Sequence, residues 1–218
     1  MTGHRGSRVW HGILALVVFV SLVAQVGLIL TGGQDVNAAP GTPAAPLGVQ
    51  LTRFAGYFTI QSNVLVLVMA ISLVVDPDFD GRIWRVLRLD ALLGIATTGL
   101  VFVTVLLPLV HPTGLAAWVN AGLHYAPPLL ALVGWLLFGP RPRVEWHTVA
   151  WAFVWPVLWL AYTFGYGAAS DWYPYPFLDA GLHGSVVALR NAGLVLAAAL
   201  LLAAVVKALD NRLRAVPA

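Results

Sequence analysis

Six long apolar runs decide what this chain can fold into. They occupy residues 10–30, 54–75, 86–110, 118–138, 148–166 and 183–206. Each is near the ~17–25 residues a helix needs to cross a bilayer, and far longer than the ~9–11 of a barrel strand. A segment inside lipid must satisfy its own backbone hydrogen bonds, so continuous runs of this length are helices. The expectation is a single all-α domain, residues 1–218, that is a polytopic six-transmembrane-helix bundle. Composition agrees. Charged residues make up 10% of the chain and hydrophobic ones 60%, where a soluble domain carries about 25% charged residues.

The basic residues orient the bundle. Arg5 and Arg8 precede the first run, and Arg82, Arg85 and Arg88 lie between the second and third. Arg141 and Arg143 lie between the fourth and fifth, and Lys207, Arg212 and Arg214 end the sixth. The connections 31–50, 111–117 and 167–182 contain no Lys or Arg. Positive loops face the cytoplasm, so both termini are cytoplasmic, and the expected location is a membrane crossed several times. The net charge of +3 is explained by this topology and does not indicate a nucleic-acid partner. Without cysteine, disulfides, iron–sulfur clusters, thiolate zinc sites and cysteine nucleophiles are excluded.

Three segments invite other readings. Asn37-Ala38-Ala39 after the first run resembles a signal cleavage site. The preceding apolar core of about 20 residues exceeds the ~7–15 of a signal peptide, so we read it as a retained span. The Gly-, Ala- and Pro-rich stretch 31–50 reads as a flexible outer loop. Asp76-Pro77-Asp78-Phe79-Asp80-Gly81 lacks the closing Glu of a calcium loop and reads as a solvated inner turn.

Polar residues within the spans are the functional candidates, because they are expensive in lipid. Thr59, His124 and Arg190 lie a similar number of residues below the outer starts of the three spans that run inward. At 1.5 Å per residue this is about 7–11 Å deep, which predicts one polar layer in the outer half of the membrane. Asn120, four residues before His124, shares its helix face. Gln25 and Arg53 lie near the outer ends of their spans, and Tyr162 and Tyr166 occupy the outer part of the fifth. Asn191 points about 100° away from Arg190 around the helix. Pro127-Pro128 removes the donors for the Leu123 and His124 carbonyls and predicts a kink beside the histidine. Trp155-Pro156 predicts a bend in the fifth span.

The segments Gly56-Tyr57-Phe58-Thr59-Ile60-Gln61-Ser62-Asn63 and Asn120-Ala121-Gly122-Leu123-His124-Tyr125-Ala126-Pro127-Pro128 resemble the androgen-induced protein family. That family includes the androgen-dependent TFPI-regulating protein and bacterial six-span relatives. Trp172-Tyr173-Pro174-Tyr175-Pro176-Phe177-Leu178-Asp179 resembles its bacterial branch. The resemblance implies six spans and hydrolysis of fatty acid esters of hydroxy fatty acids by an intramembrane threonine and histidine. By motif these are Thr59 and His124. The chain departs from the animal members in having Asn120-Ala121 where they carry a second histidine, and in the more polar 60–63.

On this expectation Thr59 is the nucleophile and His124 the general base. Asn120, Arg190, Arg53 and Gln25 are candidates for substrate or oxyanion binding, and no cofactor or metal is required. The substrate is a membrane lipid or fatty-acyl ester entering from the bilayer. Two other functions fit the same polar layer. One is a non-enzymatic lipid-binding or transport protein. The other is a zinc-dependent membrane hydrolase using His111, His124, Asp171, Asp179 and His183, whose spacing matches no known ligand motif.

Overall fold

The computed structural model describes residues 2–32 and 45–213. Asn37-Ala38-Ala39, most of the expected loop 31–50 and Arg214 lie outside the described residues. Among the described residues the chain is helical without strands, and six helical stretches are long and apolar enough to cross a membrane. They run His4–Leu30, Phe58–Val75, Arg82–Leu109, Gly114–Phe138, Trp146–Ser170 and Ser185–Arg212. The protein is an integral multi-pass membrane protein. Six crossings return the chain to the side on which it began, which the arginines assign to the cytoplasm.

Span 1 is one helix, α1 (Thr2–Leu30). Span 2 differs from the expected continuous run 54–75. The chain enters it through α2 (Leu47–Gly56), breaks at Tyr57 with extended backbone, and continues as α3 (Phe58–Val75). Residues 47–50, read above as loop, therefore begin a helix. Span 3 is α4 (Arg82–Val101), followed by a π-helical turn at Phe102–Leu106 and a 3-10 turn at Leu107–Leu109. Pro108 removes the donor for the Thr104 carbonyl, which accounts for the loosened turn.

Span 4 divides at Tyr125 into α5 (Gly114–His124) and α6 (Ala126–Phe138), as Pro127-Pro128 requires. Span 5 divides at Phe153 into α7 (Trp146–Ala152) and α8 (Val154–Ser170), one turn before Pro156. A 3-10 turn at Pro176–Leu178 and the short α9 (Ala180–His183) lead to α10 (Ser185–Arg212).

Helix α4 is the centre of the bundle and packs against α3, α6, α7 and α10. Its small residues allow this. Ala91, Gly94, Ala96, Thr97, Thr98 and Gly99 are all buried, and small side chains let membrane helices approach closely. Gly99 decides one approach: a Cβ there would lie 2.8 Å from Pro128 and 3.3 Å from the His124 carbonyl. The kink of span 4 thus nests against span 3 only because residue 99 has no side chain.

The inner side is closed by the arginines that set the topology. Asp80 accepts two hydrogen bonds of 2.8 Å from Arg85 and pairs with Arg143. The Arg85 guanidinium, with the Gly81 amide and Arg143, holds the Asp80 carboxyl well below the usual carboxylate range. Asp210 at the end of α10 accepts the amides of Arg143 and Val144 at 2.5 and 2.8 Å. Arg141 donates to the Trp135 and Leu136 carbonyls, capping α6. The turn 76–81 is tied in the same way: Asp76 accepts the Asp78 amide and Asp78 pairs with His4.

Candidate active site

Three helix interruptions converge in the outer half of the membrane, and each is held open by side chains. At the break in span 2 the Ala55 and Gly56 carbonyls lose their helical donors. Gln61 Nε2 donates to Ala55 O at 3.0 Å, and Trp159 Nε1 donates to Gly56 O at 2.9 Å. Trp155 donates to Gln61 Oε1 at 2.9 Å, and its ring stacks on Phe58 at 4.6 Å. At the break in span 4, Asn63 Nδ2 donates to the Leu123 carbonyl at 3.1 Å and to the Thr59 carbonyl at 2.8 Å. The carbonyl that Pro127 deprives of a donor is thus satisfied from the helix that carries Thr59.

The break frees the Thr59 hydroxyl. Serines and threonines in membrane helices usually bond the carbonyl four residues earlier. Ser21, Ser72 and Thr104 do so here, to Val17, Val68 and Leu100. For Thr59 that carbonyl belongs to Ala55, which lies beyond the break and is taken by Gln61. Thr59 Oγ1 instead lies 3.0 Å from the Tyr175 hydroxyl and 3.4 Å from His124 Nε2. Thr59 is 6% exposed and sits in the first turn of α3, at the positive end of the helix dipole, where the Ile60 and Gln61 amides bond the Tyr57 carbonyl.

The tautomer of His124 follows from its other nitrogen. Nδ1 lies 3.1 Å from the Asn120 backbone carbonyl. A carbonyl can only accept, so Nδ1 carries the proton and Nε2 presents its lone pair toward Thr59. Phe102, the first residue of the π-helical turn, stacks on the imidazole at 4.2 Å and 27°. The Tyr175 hydroxyl accepts the Thr59 amide at 3.1 Å. A consistent chain of donors results: Tyr175 O–H to Thr59 Oγ1, Thr59 O–H to His124 Nε2, and His124 Nδ1–H to Asn120 O.

Thr59 and Tyr175 open onto a cleft between spans 3, 5 and 6, lined also by Phe58, Leu93, Trp159 and Leu196. Its volume is about 770 Å³ counted up to its open side, spread thinly between mostly apolar walls. The cleft is therefore narrow for its extent and suits a thin chain better than a bulky ligand.

Of the expected layer, the structure brings together Thr59, His124 and Asn120, and the part of Asn120 that acts is its backbone carbonyl. Its buried side chain leaves Oδ1 without a hydrogen-bond partner. Arg190 does not join them. It is exposed on the flank of α10 and donates to neighbouring Asn191 at 3.4 Å. Similar depth does not imply a shared face, and α10 turns Arg190 outward, where its long side chain can reach the headgroups.

Asn191 is the residue of span 6 that supports the site, donating at 2.8 Å to Phe177 O in the turn that follows Tyr175. Arg53 lies over the Trp172 ring at 5.2 Å and does not line the cleft. Gln25 is buried on α1, also away from the cleft. Tyr162 and Tyr166 stack on each other at 5.7 Å, outside the lining.

Sequence reasoning assigned no site role to Tyr175, Asn63 or Phe102. Asn63 could have been found from its spacing, since it lies four residues after Thr59 on the same helix face. Tyr175 lies in an outer connection, and nothing in its local pattern brings it to span 2. Among the described residues no three His, Asp or Glu side chains converge as metal ligands, so His111, Asp171, Asp179 and His183 do not assemble with His124. No known family profile, curated protein or solved structure matches the chain.

Proposed function

We propose that the protein is an intramembrane lipid ester hydrolase of a bacterial cell membrane, with Thr59 as nucleophile and His124 as general base. The observation that carries this reading is the tautomer. With Nδ1–H held by Asn120 O, Nε2 faces a membrane hydroxyl that a helix break keeps from its own backbone. The 3.4 Å separation is at the outer limit of a hydrogen bond, and catalytic contacts commonly tighten when substrate binds. The resemblance of 56–63 and 120–128 to the androgen-induced protein family supports the same pair and points to fatty acid esters of hydroxy fatty acids as the substrate class.

In the first half-reaction Thr59 Oγ1 attacks the ester carbonyl while His124 Nε2 takes its proton. The tetrahedral intermediate collapses, the ester C–O bond breaks, and His124 returns the proton to the departing alkoxide. An acyl-threonine and a free alcohol result. In the second half-reaction water attacks the acyl-threonine with His124 again as base. The products are the carboxylic acid and regenerated Thr59. The Tyr175 O–H and the amide end of α3 are the groups nearest the developing oxyanion, where fixed donors are most effective.

A lipid-binding or transport protein would use the same cleft without turnover. Purified protein treated with a fluorophosphonate probe and a long-chain ester separates the two. The wild type should be labelled and active, while Thr59→Ala and His124→Ala should be neither. Full hydrolysis by Thr59→Ala would remove the nucleophile assignment, and binding without turnover in the wild type would favour the carrier.

A further inference from the structure

The cleft has a second polar end. Asp90, on α4, lines it together with Ala152 and Ala199. Asp90 is 6% exposed and makes no hydrogen bond or ion pair among the described residues. The arginines of the inner side are engaged elsewhere. Arg85 and Arg143 bind Asp80, Arg88 donates to Pro140 O and Arg141 to the end of α6. A carboxyl that faces only apolar walls in a membrane is costly unless something pairs with it.

Helix geometry gives the span between the two ends. Ser62 packs against Gly94 and lies 3.4 Å from Thr98, one turn further along α4. Thr59 is three residues outward from Ser62, and Asp90 is four to eight residues inward of that level. At 1.5 Å per residue the two polar ends are roughly 14 Å apart. Bonds of about 1.5 Å that zigzag at the tetrahedral angle advance an extended chain by about 1.25 Å each, so this span, less a hydrogen bond of about 2.8 Å at Asp90, takes a chain of about ten carbons.

We propose that Asp90 is a specificity site that selects acyl chains carrying a hydroxyl about ten carbons from the ester held at Thr59. The chain lies along the narrow apolar cleft, and its hydroxyl donates to the Asp90 carboxyl. The orientation of the chain rests on the hydrolase reading; the preference for a hydroxyl rests only on the cleft and Asp90, and it concerns a free hydroxyl on the acyl chain, distinct from the one esterified in the substrate class above. A plain hydrocarbon tail fills the same space but leaves the carboxyl without a donor, and a polar group left unpaired by the wrong ligand is the stronger form of discrimination.

Binding can be read without turnover by thermal shift and equilibrium dialysis of the purified full chain in detergent, in the Thr59→Ala background. The ligands are methyl 10-hydroxydecanoate, methyl decanoate and methyl 6-hydroxyhexanoate, and the proteins are Thr59→Ala alone and combined with Asp90→Leu or Asp90→Asn, with wild type assayed for turnover. The hydroxydecanoate should bind Thr59→Ala about ten-fold tighter than decanoate, which corresponds to about 1.4 kcal/mol. Asp90→Leu should remove or reverse that preference, and Asp90→Asn should retain part of it. The shorter hydroxy ester should gain nothing from its hydroxyl.

Equal binding of the two ten-carbon esters by Thr59→Ala overturns the proposal. So does a preference that survives in both Asp90 variants. If the preference holds but no variant or wild type hydrolyses ester, Asp90 keeps its role and the hydrolase reading fails instead.

Discussion

The outer and inner halves of this bundle are built on opposite plans. The inner core is largely aliphatic, around Leu14, Val66, Leu73, Leu89 and Ile95, and charged groups at its cytoplasmic edge bind one turn to the next. The outer core is rich in aromatic rings, with Tyr57, Phe102, Trp159 and Tyr175, and holds the interruptions at Tyr57, Phe102–Leu106 and Tyr125. Hydrogen bonds in the inner half close the structure, whereas those of the outer half keep helices open and place polar groups beside a cleft. The contrast teaches that polar residues in a membrane protein cannot be ranked by polarity alone. Arg88 and Asp210 are as buried as Thr59, yet neither lines the cleft.

The contrast is sharpest for the catalytic pair. Thr59→Ala should lower ester turnover by about 10⁴-fold or more, and His124→Gln by about 10²–10⁴-fold. In both, the unfolding midpoint in detergent should stay near wild type. A large loss of stability in either would mean that these residues are structural. Tyr175→Phe keeps its ring contacts and removes only the hydroxyl that meets Thr59 N and Oγ1. Steady-state kinetics should show kcat reduced by about 10²-fold with KM little changed.

Asn63→Leu tests whether the outer half depends on its bridges. Two carbonyls lose their donor, at about 1–3 kcal/mol for each buried group left unpaired. Stability and activity should fall together. Asp210→Leu makes the complementary change in the inner half, leaving the Arg143 and Val144 amides without their acceptor. Denaturant unfolding should show a loss of about 1–3 kcal/mol, while turnover per folded molecule stays at the wild-type level.

The smallest expected effect is at Asp80. Arg85 lowers its pKa, so the stabilisation is fully present above the ordinary carboxylate pKa of about 3.9. It is lost as pH falls through the lower folded value. The carboxylate is about one-third exposed, so solvent screening limits the gain to at most about 1 kcal/mol. Comparing the acid unfolding of wild type with Asp80→Asn should show a slightly shallower pH dependence in the variant.

The number and direction of the spans were legible in the sequence, because both follow from local quantities. Apolar run length must match bilayer thickness, and arginines concentrate on the cytoplasmic side, Arg53 and Arg190 apart. The breaks at Pro127-Pro128 and near Pro156 were legible for the same reason, since a missing N–H is a property of one residue. The break at Tyr57 was not. No proline marks it, and it persists because Trp159, Gln61 and Trp155 from other turns and another span satisfy its carbonyls and stack against it.

Depth along a helix could also be counted from the sequence, but facing could not. Thr59, His124 and Arg190 stand at similar heights, yet rotation about α10 turns Arg190 outward and directs Asn191 to the turn beside Tyr175. A helical sequence fixes the angles between its own residues. The rotation of the whole helix is fixed by packing, here by the small-residue surface of α4 and the outer connection that carries Tyr175. Tertiary structure alone decided that a hydroxyl, an imidazole and a phenol from three distant segments meet, and that two of them line one cleft.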